Sequence, residues 1–71
     1  MAAMRLYSKD ELDNALVKLG WQKTESKAQT VEFWKSANGK LLTVPEPDPV
    51  SGAYSDFIYD DILLSAIKLL N

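Results

Sequence analysis

The segment Thr30–Pro45, Thr-Val-Glu-Phe-Trp-Lys-Ser-Ala-Asn-Gly-Lys-Leu-Leu-Thr-Val-Pro, limits the folds open to this chain more than any other. Two runs rich in β-branched and aromatic residues flank Asn38-Gly39, the dipeptide that best tolerates the positive φ angles of a type I′ turn. The segment predicts a β-hairpin. A two-residue turn at Asn38-Gly39 sets Ala37 against Lys40, Lys35 against Leu42, Trp34 against Thr43 and Phe33 against Val44. One sheet face then carries Val31, Phe33, Leu42 and Val44. The other carries Glu32, Trp34, Leu41 and Thr43.

A helix is predicted ahead of the hairpin. Ser8-Lys9-Asp10-Glu11 has the form of a capping box, with Tyr7 and Leu12 placed as a hydrophobic staple. Leu12, Ala15, Leu16 and Leu19 recur at helical spacing and form one apolar face. Gly20 suits the position after the helix end, where φ is positive. Trp21–Ser26 reads as a first strand and Lys27-Ala28-Gln29 as a polar connection into the hairpin. Residues 1–6 are expected to be flexible.

Pro45 closes the third strand. Glu46 to Tyr54 reads as a loop, extended by alternating prolines and turned at Ser51-Gly52. Ser55 or Asp56 is placed to cap a last helix. Its apolar face holds Tyr59, Ile62, Leu63, Ala66, Ile67 and Leu70, with Phe57, Ile58, Leu64 and Leu69 at or beyond the edges. That is more apolar surface than a small sheet requires, so Phe57, Leu64 and Leu69 are candidates for an interface. The expected fold class is α+β: one domain over residues 1–71 in the order α-β-β-β-α, a three-stranded antiparallel meander with both helices on one face.

The order and motifs resemble the double-stranded-RNA-binding-domain-like fold, and within it the HicA (YcfA-like) family of small toxin ribonucleases. The likeness spans roughly residues 8–70. It rests on Leu19-Gly20-Trp21, on the hairpin pattern from Trp34-Lys35 through Gly39-Lys40-Leu41 to Thr43-Val44-Pro45, and on the spacing from Ile58 to Leu70. The family's active residue is a histidine in a Gly-Ser/Thr-His segment on the second strand. That segment aligns with Gln29-Thr30-Val31, so Thr30 matches while Val31 stands at the histidine position. The resemblance therefore implies a non-catalytic relative or a separate family on the same fold. A protein partner, in a toxin–antitoxin or phage-related setting, is the leading expectation, and RNA binding the alternative.

Composition agrees with a role in binding. The chain has no histidine and no cysteine. Imidazole and thiol nucleophile systems and thiolate zinc sites are thereby excluded. A ribonuclease activity would have to rest on Lys, Tyr or Asp instead, so whether the chain is an enzyme stays open, with the balance against it. Asp60 and Asp61 are adjacent on a helix and diverge by roughly 100°, so they do not form an acid–base pair. The acidic residues match no EF-hand spacing, and neither a metal nor a cofactor is expected. Residues 1–45 hold seven basic and five acidic side chains, whereas residues 46–71 hold one and five. Trp34, Leu41 and Thr43, on the face expected to be open, are candidate partner contacts, and Lys23, Lys35 and Lys40 candidate phosphate contacts. No apolar run has transmembrane length and the first residues lack a signal-peptide core, so a cytoplasmic protein away from membranes is expected.

Overall fold

The structure, a computed structural model, describes residues 5–28 and 30–71. It is α+β, with helices and the three-stranded antiparallel sheet in the expected α-β-β-β-α order. A short two-stranded sheet is added to that order. The elements are β1 (Leu6–Ser8), α1 (Lys9–Lys18), β2 (Trp21–Ala28), β3 (Val31–Ser36), β4 (Leu41–Pro45), β5 (Ala53–Ser55) and α2 (Asp56–Leu70).

The start of α1 follows from its sequence. Ser8 Oγ accepts from the Glu11 N–H at 3.1 Å, and Glu11 Oε1 accepts from the Ser8 N–H at 3.3 Å, a complete capping box. Leu12 and Leu16 point from α1 into the core. Gly20 leaves the helix with φ +101°, a conformation that costs little only without a Cβ. In α2 the cap is Ser55, whose hydroxyl accepts from the Ile58 N–H. Ile62 and Ala66 are buried, and Tyr59, Leu63, Leu69 and Leu70 pack partly against the same core. Both helices meet Trp34, Leu42 and Val44, which lie on one face of the sheet.

The hairpin forms, but with a different turn. The Ser36 N–H donates to the Lys40 carbonyl at 3.0 Å, and the Gly39 N–H to the Ser36 carbonyl at 3.1 Å. Three residues, Ala37-Asn38-Gly39, thus lie between the closing pair, and Gly39 adopts φ +85°. This is the pattern of a type I turn ending in a glycine bulge. Ser36 Oγ reinforces it by bonding Asn38 Oδ1 and accepting from the Lys40 N–H. The longer loop slides the register by one residue. Lys35 pairs with Leu41, Trp34 with Leu42, Phe33 with Thr43 and Glu32 with Val44. Glu32, Trp34 and Ser36 consequently share the buried face with Leu42 and Val44, while Val31 and Phe33 stay half-buried on the other side. Indole is the larger apolar group, so this register removes more apolar surface from water.

β2 runs further than expected, to Ala28, which pairs with Val31; Gln29 and the Lys27 side chain lie outside the described residues. Lys23 pairs with Trp34 and Lys27 with Glu32, so Thr24-Glu25-Ser26 bulge opposite Phe33 alone. Thr24 Oγ1 donates to the Phe33 carbonyl at 2.7 Å and accepts from the Ser26 N–H, which supports the bulge from within.

β1 pairs antiparallel with β5, with Tyr7 opposite Tyr54. Leu6 therefore belongs to a strand inside the stretch expected to be flexible, and residues 1–4 lie outside the described residues. Ser8 and Ser55 end these strands and cap the two helices, so both helices start from one ribbon. Tyr7 also stacks on Tyr59, with ring centroids 3.7 Å apart and planes 8° from parallel. Tyr54 is buried, and its hydroxyl donates to the Pro45 carbonyl at 2.6 Å, joining β5 to the end of β4.

The two tryptophans separate packing from hydrogen bonding. Each is 1% exposed, but Trp34 Nε1 donates to Glu32 Oε1 at 3.2 Å whereas Trp21 Nε1 has no partner among the described residues. Replacement by phenylalanine removes similar volume at both sites. Trp34→Phe should lower the unfolding free energy by about 1.5–3 kcal/mol more than Trp21→Phe, the range for a bond to a charged group, as read from urea denaturation.

Candidate functional site

Two surfaces can be weighed as functional: a charged cluster at the edge of the core and the outer face of α2. The cluster joins α1 to β2 and β3. Lys9 and Asp13 lie one turn apart on α1 and form an ion pair. Lys9 Nζ lies 2.7 Å from Glu32 Oε1. Lys23 Nζ lies 3.3 Å from Glu32 Oε2 and 3.5 Å from Asp13 Oδ2. Two ammonium groups and two carboxylates thus alternate in a closed ring. Lys9 also sits 5.7 Å from the Trp34 ring centroid, within cation–π range.

Burial pushes the Glu32 carboxyl upward, but bonds from Lys9 and Trp34, the Lys9 charge and the Lys23 bond outweigh it, and its pKa falls below the ordinary value. Burial pulls Lys23 down, but its bonds and charge pairing with Glu32 and Asp13 outweigh that and raise it. A general base for neutral pH needs a carboxyl shifted toward 7. Glu32 is shifted the other way and its oxygens are occupied by donors. Two tyrosine hydroxyls, those of Tyr54 and Tyr59, are shifted upward, away from ionisation at neutral pH. Tyr54 is raised by burial and then by Glu32, Asp13 and Glu46. Tyr59 is raised by burial and then by Tyr7. The ring ties α1 to β2 and β3.

The sequence-derived candidates part company in space. Trp34 lies under the helices at 1% exposure, which corrects its placement on an open face; the register slide is the cause. Lys23 shares the buried side of the sheet and is bound to Glu32 and Asp13. Leu41, Thr43 and Lys35 lie on the opposite face, with Leu41 62% exposed. Lys40 is exposed at the hairpin turn. Among the described residues, no group of acidic side chains gathers to hold a metal ion, and no helix is long and apolar enough to cross a membrane.

On α2, Phe57 is 83% exposed and Leu64 59% exposed, whereas Leu69 packs partly into the core and does not join them. Phe57 and Leu64 are seven residues apart, so they stand on one helical stripe. Ile58 and Ile67 are also exposed. Ile67 is thereby removed from the core face on which its spacing placed it. A shallow concavity follows this stripe, lined by Asp56, Phe57, Ile58, Asp60, Asp61 and Leu64. Ile58, Ile67 and the aspartates were not among the expected contacts. The excess of apolar residues on the helix is the sequence signal that points to the first two.

The charged ring sets a pH dependence. Glu32 has a folded pKa below its unfolded value, so it contributes stability above the ordinary value of 4.5 and loses it as pH falls through the folded pKa. Glu32→Gln should be less stable than the parent at pH 7, with the difference shrinking below pH 4.5. Thermal unfolding measured across that range reads the convergence; parallel curves would contradict it.

No protein-family model, no curated protein and no solved structure matches this chain.

Proposed function

We propose that this chain is a small protein-binding module and that the outer face of α2 is its docking surface. The observation that carries this reading is Phe57, a large aromatic side chain 83% exposed on a well-capped helix and continued along one stripe by Leu64. Aromatic side chains are favoured anchors in protein interfaces, where they fill a partner's pocket and exclude water. The core does not require them, because Ile62 and Ala66 already fill the inner face of the helix.

Binding RNA has less support. Lys23 is committed to Glu32 and Asp13, and Lys35 and Lys40 do not form the dense basic stripe that phosphate recognition uses. The HicA resemblance is not needed for the protein-binding reading.

Phe57→Ser combined with Leu64→Ser should leave stability within about 0.5 kcal/mol of the parent, because both side chains are exposed. A photoreactive benzoyl-phenylalanine at position 57, in cells producing the chain, should yield a discrete protein adduct. One at Gln22, exposed on β2, should not. Adding Leu64→Ser should remove the adduct at position 57. Equal labelling from both positions, or none from position 57, overturns the reading.

A further inference from the structure

We infer that the partner segment is a basic amphipathic helix, its apolar side on Phe57 and Leu64 and its lysines or arginines over Asp56, Asp60 and Asp61. This rests on the docking reading above. Three aspartates line the concavity and no basic residue does. None of the three forms an ion pair among the described residues, and Asp60 and Asp61 are exposed. The start of α2 carries a partial positive charge of roughly half an elementary unit, which offsets only part of this.

The sign of the rim selects among occupants. A nucleic acid or an anionic bilayer would meet like charge. A second copy paired about the acidic first turns of α2 would bring the same aspartates face to face. Antiparallel pairing about Leu64 would avoid this by setting Asp60 beside Lys68 of the other copy, but it leaves Asp56 and Asp61 without an opposite charge. A basic helix meets apolar surface and opposite charge at once. Its length follows from the stripe: Phe57 and Leu64 are about 10 Å apart along the axis, so two to three turns with apolar residues at i, i+3, i+4 and i+7 cover both.

Fluorescence anisotropy of the full chain with three labelled synthetic peptides tests this. The first is a helical peptide with leucines on one face and lysines beside them; the second is its scrambled isomer; the third has glutamate for every lysine. The first should bind at least about tenfold more tightly than the others, and its affinity should fall with salt. Phe57→Ser with Leu64→Ser should abolish binding. Asp60→Asn with Asp61→Asn, checked for an unchanged fold by circular dichroism, should weaken binding about tenfold and flatten its salt dependence. Equal binding of the scrambled or glutamate peptide, or insensitivity to these variants, overturns the inference. So does a reversible dimer, seen by sedimentation of the peptide-free chain and lost in the Phe57→Ser, Leu64→Ser variant, because the face then belongs to a second copy. The position-57 adduct separates the two claims. If it forms while the lysine peptide fails, the partner chemistry falls and the docking face stands; if both fail, both fall.

Discussion

Ser36 donates to and accepts from the far side of the hairpin loop, through its N–H to the Lys40 carbonyl and its hydroxyl to the Lys40 N–H. The core depends on this closure, because strand side chains alternate between faces and a shift of one residue exchanges the two sets. With Ser36 as the closing residue, Trp34 and Glu32 turn toward the helices and Phe33 turns away. The buried wall of Trp34, Leu42 and Val44 is a consequence of that choice, and Leu12, Leu16, Ile62 and Ala66 pack against it.

Burying Glu32 follows from the same register and would be costly without partners. Lys9, Lys23 and the indole of Trp34 supply them. Their positions are coupled. Lys9 comes from the first turn of α1, Lys23 from β2 just ahead of the bulge, and Trp34 from β3, two residues beyond Glu32. A ring assembled from separate elements ties α1 to the sheet, and removing a partner of Glu32 leaves part of a buried charge uncompensated.

The parts of this fold legible in the sequence are those decided within a few residues. The capping box at Ser8 and Glu11 and the inward spacing of Leu12 and Leu16 are local, and the structure has them. The hairpin itself was legible, but its register was not, because Asn38-Gly39 suits both a two-residue turn and the glycine end of a three-residue one. The hydroxyl of Ser36 decides between them through a contact that no periodicity encodes. The Thr24–Ser26 bulge was hidden because an alternation count assumes uninterrupted pairing. The β1–β5 ribbon was hidden because strands of three residues are too short to show a period, and their partners come from opposite ends of the chain. On α2, Phe57 and Leu64 stood out as surplus to the core. Leu69 and Ile67 changed places because both lie at the margins of the buried arc, where the helix's seating on the sheet decides exposure.

Helix caps, the β3–β4 hairpin and the β2–β3 pair close short loops, whereas the pairing of Leu6 with Ser55 closes a loop of about two thirds of the chain. Loop-closure entropy makes this the costliest of these contacts to bring together, and stacking of Tyr7 on Tyr59 spans a similar length of chain. The ribbon therefore works as a clasp that joins the entries to the two helices. Through it the helix that displays the aromatic outer stripe is anchored at its first turn as well as along its inner face.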